Sequence, residues 1–88
     1  MRLDVFLAKA RVLKTRSLVK IAIDEGMVYL NGLKAKPASV VKVGYIIEID
    51  IPRFYEKLRV AALPSKNPKK SEAHSLCQII ETRKKELF

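Results

Sequence analysis

The chain carries one cysteine, Cys77, one histidine, His74, and no tryptophan. A lone cysteine excludes an internal disulfide. One thiol with one imidazole is too small a ligand set for a protein-only zinc site. Glycine is scarce, at three residues, and each has a structural use, so no glycine loop is left to cradle phosphates. No Ser/His/Asp set for nucleophilic chemistry stands out either, and the expectation is a protein without catalytic residues, metal or cofactor. No segment approaches the roughly 20 apolar residues of a spanning helix. Asp4, Lys9 and Arg11 break up the N-terminal apolar run, so no signal peptide is visible and a reducing, cytoplasmic setting is expected.

Acidic residues are also few, nine against eighteen lysines and arginines, which gives a net charge of +9 and a sequence pI near 9.9. With 88 residues, 49% of them hydrophobic, the chain reads as one small folded domain with a thin core rather than a disordered basic tail. A basic domain of this kind has two common partners, nucleic acid and anionic membrane. The basic helices lack a Trp- or Phe-rich insertion face, so membrane is the weaker choice. The segment from Lys9 to Lys20 concentrates five basic residues, Lys9, Arg11, Lys14, Arg16 and Lys20, with no acidic one among its apolar positions. Phosphate is the natural complement.

Leu3, Phe6, Leu7 and Ala10 recur at helical spacing and predict the buried stripe of a first helix. Thr15 is a good N-cap for a second helix, whose buried side is drawn from Leu18, Ile21, Ala22 and Val19. Arg16 and Lys20, four apart, then share an exposed face, and Gly26 ends the helix. From Met27 the period changes. Residues 27–30 read as a strand, Asn31-Gly32 as a two-residue hairpin turn, and 33–36 as the return strand, stopped by Pro37. Residues 45–51 alternate with Tyr45, Ile47, Ile49 and Ile51 on one face, and Pro52 closes that strand. A further strand is expected at 58–63. Residues 64–70 form a polar linker. Beyond it, Ser71 caps a last helix with Ala73, Leu76, Cys77 and Ile80 at helical spacing and Arg83, Lys84 and Lys85 near its C-terminus.

Arg2-Leu-Asp4, Phe6-Leu7, Thr15-Arg-Ser17, Gly26-x-Val28-x-Leu-Asn-Gly32 and Val43-Gly44 occur in an order and spacing that resemble the S4 RNA-binding domain, over about residues 1–51. The family usually has Gly-Asp where this chain has Gly44-Tyr45, and a small residue where it has Val19. A free-standing module followed by a lysine-rich tail is similar to the small ribosome-associated group of heat-shock protein 15 and RqcP (YabO-like) proteins. The resemblance implies an α+β S4 (alpha-L) fold: two N-terminal helices packed on a small, mainly antiparallel sheet, plus a C-terminal helix. It divides the chain into an S4 domain at 1–63 and a basic linker with a C-terminal helix at 64–88.

The resemblance also places the RNA surface on the two helices and the hairpin edge, and carries over Arg2, Asp4, Thr15, Arg16, Lys20 and Asn31. The residues themselves independently favour Arg2, Arg11, Lys14, Arg16 and Lys20 as phosphate contacts, by guanidinium fork or mobile ammonium. Lys34 and Lys36, on one strand face, extend the patch. Asp4 is expected to orient Arg2 or Arg16, Phe6 to belong to the core, and Cys77 and His74 to be a core thiol and a surface imidazole. No long base-reading helix and few stacking aromatics are present, which suits folded RNA read by shape and backbone.

The leading expectation is a monomeric, non-enzymatic factor binding 23S rRNA and tRNA on the large ribosomal subunit, in rescue or quality control of stalled subunits carrying peptidyl-tRNA. It has no small-molecule substrate and no membrane partner. The alternative is a protein-interaction or enzyme-accessory module, its basic face docking an acidic protein and its tail helix, with a Leu76 and Ile80 stripe, as the working part.

Overall fold

A computed structural model describes residues 1–64 and 70–85, and for residues 70 and 71 the backbone only. The elements run α1 (Leu3–Lys9), α2 (Arg16–Asp24), β1 (Val28–Leu30), β2 (Leu33–Lys34), β3 (Ile46–Asp50), β4 (Phe54–Val60), α3 (Lys70–Leu76) and β5 (Cys77–Lys84). The strands form one antiparallel sheet in the order β2-β1-β3-β4-β5. The α+β class holds, with both N-terminal helices contributing to a core shared with the sheet.

Local chemistry accounts for the element ends. The Thr15 hydroxyl accepts the Leu18 backbone N–H at 3.1 Å, capping α2 as its position in the sequence suggests. Gly26 stops α2 in the left-handed region, and the Met27 N–H returns to the Ala22 carbonyl at 2.9 Å. Asn31 and Gly32 both have positive φ, +51° and +84°. That pair matches the right-handed twist of a two-residue hairpin and sets the β1–β2 register, Leu30 opposite Leu33.

The core is built by Leu3, Phe6 and Leu7 of α1, Val19, Ala22 and Ile23 of α2, and Val28, Ile47, Ile49, Leu58 and Val60 of the sheet. Burying a large aliphatic or aromatic side chain contributes about 1.5–3 kcal/mol, so α1 is held by its stripe rather than by its seven-residue length. Two expectations for α2 fail. Leu18 and Ile21 are 44% and 56% exposed, while Val19, Ala22 and Ile23 are buried. The five apolar residues between 18 and 23 spread over about 200° of the helix circumference, more than one core-facing side covers. The side that α1 and the sheet cover wins.

The strand expected at 58–63 runs instead from Phe54 to Val60. The chain turns at once after β3, with the Ile51 N–H bonded to the Phe54 carbonyl. Leu58 and Val60 then face the core, and Tyr55, Lys57 and Arg59 face the open side.

The C-terminal helix is shorter than its periodicity suggests. It ends at Leu76, and Cys77 to Lys84 form a strand antiparallel to β4, with a bulge opposite Lys57/Leu58. Ala73 and Leu76 are buried as expected, but Cys77 and Ile80 lie on β5, and Arg83 and Lys84 are strand residues rather than a helix C-terminus. The physical reason is backbone pairing. Without β5 the seven-residue β4 would present an open edge of N–H and C=O groups, and Ile79, Ile80 and Thr82 favour extended backbone. The Leu76 and Ile80 helical stripe of the alternative reading therefore does not form. Helix α3 already includes Lys70, so Ser71 stands inside the helix rather than at its N-cap. The linker residues 65–69 lie outside the described residues. No helix among the described residues is long and apolar enough to cross a membrane.

Candidate nucleic-acid interface

The first helix places Arg2 at its N-cap and Asp4 in its first turn. The Asp4 carboxylate is 2% exposed. It accepts the Arg2 Nε–H at Oδ1 and an Nη2–H at Oδ2, both at 3.1 Å, and the Val5 backbone N–H at 2.8 Å. A carboxylate at a helix N-terminus is favoured by the free N–H groups there, and both of its oxygens are used. The forked pair fixes the plane of a guanidinium whose side chain is still 56% exposed. Of the two roles expected for Asp4, orienting Arg2 is the one the geometry contains.

The same segment is stitched to the loop at 37–41. Leu3 N–H bonds to the Ser39 carbonyl at 2.8 Å, Asp4 N–H to that of Pro37 at 3.2 Å, and Val41 N–H to that of Met1 at 2.8 Å. Arg2 is thus held at both its backbone and its side chain.

Across from it, α2 contributes Arg16, Ser17 and Lys20, all exposed. With Arg2 and Asp4 they line a shallow depression of about 390 Å³. Among the described residues, no ion pair or hydrogen bond engages the side chains of Arg11, Lys14, Arg16 or Lys20. The depression therefore holds three cationic groups and one carboxylate already bonded to Arg2 and the Val5 N–H. Its size and charge suit phosphate groups of a polymer rather than an enclosed small molecule.

The other candidate residues are dispersed. Arg11 sits at φ +56° in the turn after α1 and lines a different cleft, of about 250 Å³, together with Glu56, His74 and Cys77. Lys14 is exposed in the same interhelical turn. Lys34 and Lys36 lie at the C-terminal end of α2, where they share a depression with Asp24 and Glu25, and the Lys34 chain runs across Gly26. Those lysines line a different depression from the Arg2–Arg16–Lys20 group, one that also holds two carboxylates. The Asn31 side chain is occupied structurally, its Oδ1 accepting the Ile46 N–H at 2.9 Å. The Thr15 hydroxyl accepts the α2 cap bond and keeps its O–H hydrogen.

The open face of the sheet carries charges of a different kind. Tyr29, Glu48, Lys57 and Glu81 lie opposite one another in one row across four strands. Tyr55 donates its hydroxyl to Glu48 at 2.6 Å. Arg83 lies 4.5 Å from the Tyr55 ring centre and pairs with Glu81 at 2.8 Å. The bond to Glu48, then burial, pushes the Tyr55 hydroxyl up to about 12. Lys85 pairs with Asp50. On the covered face, burial and then the Glu56 carboxylate push the Cys77 thiol up to about 11, so it is protonated and inert as a nucleophile near neutrality. His74 is exposed. No group of three His, Cys, Asp or Glu residues among the described residues is placed to hold a metal ion.

Sequence reading missed the exposure of Leu18 and Ile21. The available signal was the excess of apolar positions on α2, more than one buried face can take.

The model of the S4 domain matches residues 1–47. The chain is 39% identical over 89 residues to the RQC P-site tRNA stabilizing factor of Streptococcus pneumoniae, covering 98% of each chain. It is 36% identical over 86 residues to the Bacillus subtilis protein of the same name, covering 96% of each. It is 33% identical over 81 residues to the heat shock protein 15 homolog of Haemophilus influenzae, covering 92% of this chain but spanning only 62% of that protein. Among solved structures, the trimeric heat shock protein 15 of Vibrio cholerae is similar, with a TM-score of 0.80 at 30% identity, over 90% of this chain and 80% of that one.

Proposed function

The chain belongs to the S4 domain family and groups within it with the RQC P-site tRNA stabilizing factors and heat shock protein 15 homologues, and on that premise we propose that it is a non-enzymatic RNA-binding factor of the large ribosomal subunit. One observation carries the reading. Arg16 and Lys20 stand unpaired on one face of α2, beside an Arg2 whose orientation is fixed by a buried carboxylate. Uncompensated like charges held this close destabilise a free domain, and phosphates relieve them.

The ligands are 23S rRNA and tRNA. The protein acts in the cytoplasm as a monomer on stalled subunits carrying peptidyl-tRNA, where it holds the tRNA in place for recycling or for extension of the nascent chain. Arg2 receives phosphate through the free edge of its guanidinium, while Arg16 and Lys20 supply a fork and a mobile point charge. Arg11 and Lys14 contact backbone further along the same RNA. Roughly five phosphate contacts predict a log–log salt slope of about −4.

Co-sedimentation with purified large and small subunits, at two salt concentrations and with Arg16→Ala alongside the native chain, tests this. The expected result is selective pelleting with the large subunit, weakened by salt and by the substitution. Equal binding to both subunits, or none from a folded sample, removes the ribosomal assignment.

A further inference from the structure

We propose that Leu18 and Ile21 form an apolar contact lane that packs against the sugar edge of the RNA whose phosphates Arg16 and Lys20 hold. The inference rests on the RNA-binding reading and deepens it. At about 100° per residue, Val19, Ala22 and Ile23 take the inner side of α2, consistent with their burial. Arg16 and Lys20, four apart, share one outer lane, and Leu18 and Ile21, three apart, share another. Ser17 falls between them and is exposed. The order around the helix is therefore cation, hydroxyl, aliphatic carbon.

That order matches the chemistry across an A-form RNA groove. Its minor groove is wide and shallow and displays phosphates at the rim, then 2′-hydroxyls and ribose carbons. A single exposed leucine needs no explanation. Two aliphatic side chains, 44% and 56% exposed and beside unpaired cations on one nine-residue helix, form a surface with two chemistries. The polyanion that satisfies the cations also carries the apolar sugar edge. Asp24 and Glu25 are exposed at the C-terminal end of α2, confining the contact to its first two turns. Glu25, four residues after Ile21, ends the apolar lane on a carboxylate.

Leu18→Gln and Ile21→Gln test the lane, because glutamine keeps side-chain length and helix propensity while removing the aliphatic surface. The native chain, both single variants, the double variant and Arg16→Ala are titrated against purified large ribosomal subunits from about 50 to about 200 mM salt. Thermal melting establishes that each is folded. The expected result is about fivefold weaker binding for each glutamine variant and about 20-fold for the double. Their salt slope stays native, whereas that of Arg16→Ala becomes shallower by about 1. A native chain that binds, with a double variant binding equally well, overturns the lane and leaves the RNA reading standing. The lane is equally overturned if the glutamine variants keep RNA affinity but lose an acidic protein partner. A native chain that does not bind overturns the RNA reading itself.

Discussion

The two outward surfaces of this domain are both rich in lysine and arginine, yet they differ in what the cations face. On the helical side Arg16 and Lys20 have no partner among the described residues, and the one nearby carboxylate, Asp4, is consumed by Arg2 and a backbone N–H. On the open face of the sheet, Arg83 pairs with Glu81 and covers Tyr55, Lys85 pairs with Asp50, and Lys57 lies in register between Glu48 and Glu81. Arg59 is exposed there with no ion pair among the described residues. Net charge alone does not distinguish these surfaces. Pairing does for Arg83 and Lys85, because a cation already neutralised by a neighbour gains little from a phosphate and must first lose its partner.

The strongest way to break the contrast is to remove the unpaired cations. Arg16→Ala with Lys20→Ala is expected to weaken binding to large subunits by at least tenfold and to make the salt slope shallower by about 2. Lys57→Ala with Arg83→Ala is expected to leave both nearly unchanged. Filter binding across a salt series measures the two pairs side by side. Similar losses from both would show that the two faces are not distinct.

Asp4→Ala comes next. It deletes a buried acceptor of three hydrogen bonds, two of them from a charged group, and is expected to cost about 2 kcal/mol of stability by denaturant unfolding. Its effect on RNA affinity separates orientation from charge, since net positive charge rises while Arg2 loses its clamp. Weaker binding means that the geometry of Arg2 matters more than the added charge.

Tyr55→Phe sharpens the other side. Loss of the hydroxyl bond to Glu48 is expected to cost about 1 kcal/mol of stability with no change in RNA affinity. The pH dependence has a definite sign. The Tyr55 hydroxyl is raised from an ordinary value of about 10 to about 12 in the folded chain. An unfolded chain therefore releases that proton first as pH rises. The bond's contribution is complete below about pH 10 and is lost through about pH 12. The stability difference between native chain and variant should shrink across that window, and a difference that stays constant would contradict the assignment of the shift to this bond.

The smallest effect expected is a gain. Glu48→Gln with Glu81→Gln frees Arg83 and removes the two carboxylates opposite Lys57, and binding to a generic RNA duplex should tighten a few-fold at low salt only. Affinity unchanged at low salt would mean that the sheet face is excluded from RNA for reasons other than charge pairing.

Much of the first half was legible because its signals are local. Thr15, Gly26 and Asn31-Gly32 act through their own backbone neighbourhood, and each starts, ends or turns the chain where its chemistry requires. The α1 stripe and the alternation of β3 were equally plain. Arg2 and Asp4 are two residues apart, so their pairing was within reach of sequence. That Arg2, Arg16 and Lys20 share one depression while Lys34 and Lys36 sit with Asp24 and Glu25 was not, since it depends on how α1 crosses α2 and where the hairpin lies.

The chain by itself determined the N-terminal elements, the basic character of α2 and the family pattern that ties them together, because caps, turns and short periodicities are settled within a few residues. Tertiary structure decided the rest. It chose which apolar residues of α2 are buried, since only one side of that helix meets the core. It turned residues 77–84 from a helical pattern into β5, because the open edge of β4 supplies backbone partners that no local preference can register. It also left some cations neutralised and others bare, because a salt bridge across strands depends on register, and register is a property of the folded sheet.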